Sequence, residues 1–257
     1  MKKFFLLCSL LILCACARQP VSEEPQQAAP ALAARWQDFL AVMPDNLNPF
    51  RLQLSLRFGH EGDTRRITAL FWGNGGRQLR LDVMAGVGAV LGKVLEDGEH
   101  FVIYSPRENQ AYFYQGASAP LLKLGVPFPF GLKRLAELLN GHYAGAFGHA
   151  YVDASVLPDG QWAYTLQEKP GGQLIINEHG LPVLWRESGR NGWRMEILYN
   201  DTAPPLPRRV NLNHGDGYGG VLLVKERENG LAPFSLEQLQ LRLPDDAPLL
   251  PLSHFKP

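Results

Sequence analysis

The chain has 257 residues, 25 lysines and arginines against 25 aspartates and glutamates, and 46% hydrophobic residues. That is globular composition, which excludes a disordered tail or a polytopic membrane protein, and zero formal charge supplies no basic field for nucleic acid. The three cysteines, Cys8, Cys14 and Cys16, fall within the first sixteen residues, so the body holds neither a disulfide framework nor a Cys-based zinc site.

Lys2 and Lys3 precede an apolar run from Phe4 to Leu13. A transmembrane helix needs about 20 apolar residues, so this run reads instead as the core of a secretory signal peptide. It ends in Leu13-Cys14-Ala15-Cys16, which resembles the bacterial lipobox. The resemblance implies cleavage after residue 15 and acylation of Cys16; the alternative is an ordinary secreted protein cut nearby. Several acyl chains together anchor a protein stably where one does not. Ala17, rather than Asp, follows the cysteine, and the sorting rule that goes with the motif then points to the outer membrane. Residues 16–34, polar and rich in proline, read as a flexible tether carrying acylated Cys16, and 35–257 as the folded domain.

Ala31 to Val42 reads as a helix, with Leu32, Trp36, Phe39 and Leu40 on one face and Pro44 beyond it. Strict alternation follows from Arg51 to Phe58, placing Leu52, Leu54, Leu56 and Phe58 on one face of a half-buried strand. Further strands are expected at Arg66–Trp72, Gln78–Met84, from Ala89 to about Leu95, at His100–Tyr104 and at Ala111–Gln115, separated by glycine turns. Pro120–Lys123 is a short helical turn, Pro127-Phe128-Pro129-Phe130 cannot be a regular strand, and Leu132–Leu139 is a helix with Leu132, Leu135, Leu138 and Leu139 on one face. Strands resume near 161–167, 173–177, 182–187, 192–199, 208–213, 220–226 and 236–243, before a proline-rich tail. Twelve or thirteen strands with regular turns imply an antiparallel barrel or a strongly curved sheet. The central leucine helix must bury its face, most economically on the concave side as a lid over apolar volume.

Catalytic constellations are missing from the pattern. G-x-S-x-G does not occur, and none of His60, His100, His142, His149, His179, His214 and His254 has tight metal-ligand spacing. Gly86-Val87-Gly88 and Gly215-Asp216-Gly217 lie between strands, so they read as turns and not phosphate loops. The chain is expected not to be an enzyme and to use no metal or cofactor.

The middle of the chain, from about Trp36 to Glu226, resembles the LolB family of outer-membrane lipoprotein receptors. The resemblance rests on Arg80 to Tyr143, with its Arg-Leu strand, Gly-flanked apolar loop, Asp97-Gly98 turn, Tyr112-x-Tyr114 strand, Leu124-Gly-x-Pro-x-Pro stretch and leucine helix. A second stretch is Gly192-Trp193-Arg194-Met195-Glu196-Ile197, then Tyr199 and a proline-rich link to Arg208-Arg209. It implies a mainly β fold with helices: an incomplete antiparallel β-barrel, or half-barrel, with a helical lid over an apolar cavity. It also implies a monomer that receives acylated lipoproteins from a periplasmic LolA-like carrier, binds their acyl chains and helps insert them into the outer membrane. The loop that would touch the bilayer matches Gly86, Val87 and Gly88, with Val87 at its tip; the plainer alternative is that Val87 packs beneath its hairpin. Candidate cavity residues, from the alternating faces, are Leu54, Leu56, Leu81, Val83, Phe101, Ile103, Leu135, Leu138, Trp193, Met195 and Ile197. The competing reading is an envelope scaffold with a filled barrel that binds a protein partner; cavity volume separates the two.

Overall fold

The computed structural model describes residues 24–42, 48–86, 88–98, 100–115, 120–124 and 126–255. The expected leader, Cys16 and the loop-tip residue Val87 lie outside the described residues.

Helix α1 (Glu24–Ala41) leads into a meander of six strands: β1 (Pro49–His60), β2 (Asp63–Asn74), β3 (Leu79–Ala85), β4 (Ala89–Glu96), β5 (His100–Ser105) and β6 (Gln110–Gln115). Three short helices follow, α2 (Pro120–Lys123), α3 (Leu132–Leu139) and α4 (Tyr143–Phe147). A second meander comprises β7 (Tyr151–Val156), β8 (Trp162–Leu166), β9 (Gln173–Ile176), β10 (Pro182–Arg186), β11 (Arg194–Tyr199), β12 (Pro207–Asn213) and β13 (Tyr218–Asn229). Then come α5 (Leu236–Leu239), β14 (Leu249–Pro251) and a 3-10 turn, Leu252–His254.

The fourteen strands among the described residues form one sheet in the order β14-β6-β5-β4-β3-β2-β1-β13-β12-β11-β10-β9-β8-β7. The meanders meet at β1 and β13, which pair over their whole lengths, from Phe50 opposite Asn229 to His60 opposite Tyr218. The helical link therefore carries the chain from one edge of the sheet to the other. The sheet is not closed into a barrel, and it is mixed rather than purely antiparallel, because β14 joins β6 in parallel.

The alternation expected for β1 sets the two faces. Leu52, Leu54 and Leu56 are buried on the inner face, while Arg51 and Arg57 point outwards. Inner-face residues of both meanders and the helices form one apolar core. Burial of that surface supplies the main drive for the fold. The leucines of α3 (Leu132, Leu135, Leu138, Leu139) are all buried in it, as the helical spacing requires.

Helix α3 is pinned to the sheet at both ends. Gly131, at its N-cap, offers no side chain, and Glu96 of β4 takes over: its carboxylate accepts from the amides of Leu132 (2.7 Å) and Lys133 (3.1 Å). At the other end Arg227 of β13 donates to the Leu139 carbonyl at 2.6 Å. An anion at the N-terminus and a cation at the C-terminus also suit the helix dipole. Burial raises the Glu96 pKa, and the two amide bonds only partly offset it. Burial likewise lowers that of Arg227. The link preceding α3 lies hard against the sheet: a side chain at Gly220 of β13 would meet the Pro127 ring at 2.8 Å.

Three sequence expectations change. Residues 24–30, read only as tether, belong to α1, which starts before the expected Ala31 and whose Trp36 and Leu32 are held by β7 and β8. The strand expected at 236–243 is instead α5 and coil. Ser235 and Gln238 form a capping box there, and the segment lies on the outer face, where no strand edge is open to it. Strands β7 and β14 and helix α4 were not anticipated at all.

Candidate functional site

The two meanders are covered unequally. Over β7–β11 the inner-face side chains are buried in the core. Trp36 of α1 packs on Phe39 (4.7 Å), Tyr151 (5.0 Å) and Tyr164 (4.9 Å), ring centre to ring centre. Its indole N–H donates to the His149 carbonyl, and the Tyr164 hydroxyl donates to that of Leu32. Phe130 packs edge-on against Trp185 and Phe128. Such aromatic pairs combine large buried area with favourable edge-to-face geometry.

Where it floors the chamber, the inner face of β2–β5 carries aliphatic or minimal side chains, Ile67, Leu81, Val83, Gly92, Val94 and Ile103, while Phe71 and Phe101 on the same face are packed in the core. Val83 and Gly92 are cross-strand partners, so at that pair the sheet contributes one small side chain where two could stand. The cover is short. It consists of Leu121, Leu124 and Val126 from α2 and its exit, with Phe255 from the last described residue. Between floor and cover is a chamber of about 510 Å³. A smaller void of about 40 Å³ adjoins it, sharing Ile67, Leu81, Val83, Leu121 and Val126 and reaching Leu54, Leu56 and Leu135. A chamber of this size is in the ordinary range for a small-molecule site.

Polar groups stand at the rim: His60, Asp63, Arg65, Arg107, Glu108 and Tyr218. Glu108 accepts a hydrogen bond from the Tyr112 hydroxyl at 3.3 Å. Burial raises the pKa of Tyr112, and the neighbouring Glu108 carboxylate adds to the effect. Burial also raises that of Tyr218, which stacks edge-on against His60. Asp216, accepting from the Tyr218 amide and lying 2.8 Å from His214, sits below the usual carboxylate range. Among the described residues no group of three or more His, Cys, Asp and Glu is placed to hold a metal ion. Chemically, the arrangement offers an apolar volume with a mixed-charge mouth.

Of the candidate cavity residues, Leu81, Val83 and Ile103 line the chamber, and Leu54, Leu56 and Leu135 line the adjoining void. Phe101, Leu138, Trp193, Met195 and Ile197 do not. They are buried in the close-packed core, where neighbouring side chains cover them. Gly86 and Gly88 both take positive φ (54° and 86°) at the β3–β4 hairpin, a conformation that suits glycine. That hairpin flanks the chamber through Val83 and Leu91, and Leu91 is 42% exposed. Sequence reasoning missed Leu121, Leu124, Val126 and Phe255. The first three follow no helical or strand period, and nothing in the sequence ties Phe255 to a strand more than a hundred residues away.

No protein-family model matches the chain, and no curated protein matches its sequence. Solved structures do share its fold. A DUF1329 family protein from Desulfovibrio piger is 12% identical, with a TM-score of 0.56 over 84% of this chain and 99% of that one. A LolA superfamily protein from Nitrosomonas europaea is 10% identical, with a TM-score of 0.55 over 82% and 97%. A domain classed with outer membrane lipoprotein sorting, from Vibrio parahaemolyticus, is 10% identical, with a TM-score of 0.50 over 83% and 94%. At these identities the likeness is one of fold.

Proposed function

We propose that this protein is a lipid-anchored envelope protein that binds acyl chains in the chamber between β2–β5 and α2, and passes acylated lipoproteins into the outer membrane. The observation that carries this reading is the hollow half of the sheet. Apolar volume left unfilled beside a fully packed core costs dispersion contacts, and an acyl chain would restore them. The fold shared with a LolA superfamily protein and with a lipoprotein-sorting domain supports it. So does the leader, in which Cys16 would carry the anchor and Ala17 would direct the protein to the outer membrane. The Gly86-Val87-Gly88 hairpin, beside exposed Leu91 at the chamber, would meet the bilayer, and a LolA-like carrier would supply the cargo.

Native mass spectrometry of the Cys16→Ser protein, mixed with an acylated lipoprotein and with its unacylated form, tests this. A complex with the acylated form alone is expected. Equal binding of both forms would overturn acyl recognition and favour a second reading, a scaffold for a protein partner. One observation favours that second reading: edge strand β7 exposes Val152 (64%) and Val156 (48%). An uncovered strand edge can pair with another chain.

A further inference from the structure

The two ends of the segment after β13 are fixed very differently. Its first part crosses the outer face. Asn74 of β2 donates to the Phe234 carbonyl at 2.7 Å and accepts from the Phe234 amide at 2.8 Å. Trp72 donates to the Gln238 carbonyl, and the buried guanidinium of Arg80 donates to that of Gln240 while also holding Asp82 at 3.0 Å. The capping box of Ser235 and Gln238 closes α5 within this part. The chain then turns at Pro244–Ala247 and touches the β5–β6 turn through Asp246 and Asn109.

The second part is held lightly. Strand β14 contributes three residue pairs to β6, Leu249–Pro251 against Ala111–Phe113, in parallel, the slightly weaker pairing mode. It then brings Leu252 into the core and Phe255 onto the inner face, 5.2 Å edge-on from Tyr112. Phe255 is part of the wall of the 510 Å³ chamber. The segment thus starts on the outer face, rounds the β6 edge and ends inside the cavity mouth.

The mouth is partly open, so a ligand can reach the chamber, but it can take the space beside Tyr112 only if Phe255 leaves it; α3 is a poor choice for movement because Glu96 and Arg227 clamp its two ends. We infer that residues 249–255 form a displaceable strap: Phe255 stands in for ligand in the empty chamber, and loading releases the strap from β6 while the anchor at Phe234–Gln240 stays in place. This rests on the chamber being the ligand site. A closed strap lowers apparent affinity by the fraction of molecules in which it is open. The outer anchor keeps the released strap at high local concentration, so it recloses once the chamber empties.

The test uses the full chain and cis-parinaric acid, a fluorescent single-chain fatty acid. Phe255→Ala is expected to bind it about fivefold more tightly than wild type, by removing the closed-state penalty. In wild type, hydrogen exchange within residues 249–255 is expected to accelerate on loading, with no change in α3 or in residues 234–240. Slower exchange in 249–255 on loading would make the segment a fixed wall that grips ligand. That result, or unchanged or weaker binding by Phe255→Ala, overturns the strap alone. Absence of binding by both wild type and Phe255→Ala overturns the acyl-carrier reading and the strap with it.

Discussion

Trp185 and Ile103 both stand on the inner face of one sheet, one in each meander. Trp185 is 1% exposed, packs edge-on against Phe130 and donates its indole N–H to the Gly171 carbonyl at 2.7 Å. Ile103 looks into the chamber. The strands that carry them are alike in alternation, so the difference lies in what covers them. The β7–β12 side receives α1, α3 and α4 with an aromatic set that spans the gap. Over the chamber, the β2–β5 side receives the four-residue α2 and the last described residues, above a floor of aliphatic side chains and Gly92, with only the start of α3 reaching β4 through Glu96. Filling gives stability and hollowness gives room for a ligand. One sheet holds both because the helical link crosses it asymmetrically.

The contrast can be broken most forcefully at Trp185. Trp185→Ala is expected to lose about 3–5 kcal/mol in urea unfolding, the range for a large aromatic removed from a close-packed core. A loss below about 1 kcal/mol would mean that the second meander is not packed as described. On the hollow side, Val83→Trp should fill empty space instead of straining a core. The expected result is a tenfold or greater loss of cis-parinaric acid binding, equivalent to about 1.4 kcal/mol or more, with an unfolding midpoint close to wild type. A strongly destabilised Val83→Trp would show that the chamber is already filled in solution. Removing the cap at Ser235 should cost about 1 kcal/mol of unfolding free energy. It is expected also to raise hydrogen exchange in α5, and unchanged exchange there would argue against the capping box.

The smallest effect concerns Glu137 on α3. Burial raises its pKa above the ordinary value, with Lys133 and Arg134 opposing, and its Oε2 has no hydrogen-bond partner among the described residues. The folded state therefore holds this proton more tightly than the unfolded chain does. Its contribution favours folding below the unfolded pKa and is lost as pH rises through the folded one. Buried Glu96 shifts in the same direction. Glu137→Gln should flatten the decline of stability above about pH 4.5, the ordinary value, as read from denaturation midpoints across pH. An unchanged slope would assign the decline to Glu96 or to other groups.

Much of the fold is legible residue by residue. Leu52, Leu54 and Leu56 declare both a strand and its buried face, because side chains alternate with period two. The leucines of α3 declare a helix with one apolar side. The chamber is only partly legible. Leu81, Val83 and Ile103 could be named from alternation, but the same rule named Met195 and Ile197, which are just as inward and fully packed. Periodicity tells which way a side chain points and not whether anything stands opposite. The segment 236–243 misled for a related reason: Leu239, Leu241 and Leu243 alternate, yet the local cap at Ser235 and the absence of a free edge there prevail over the pattern.

By itself the sequence determined the strand-rich class, the central leucine helix, the inward faces and the absence of tight metal or nucleophile motifs, since these depend on residue spacing along the chain. Only the tertiary structure decided that β1 pairs with β13, that Glu96 and Arg227 grip α3, that one meander is full and the other hollow, and that Phe255 rounds the sheet edge to enter the chamber. Those outcomes depend on contacts between residues far apart in sequence. Which pairs meet is set by how the whole apolar surface can be buried at once, and no local stretch of chain carries that information.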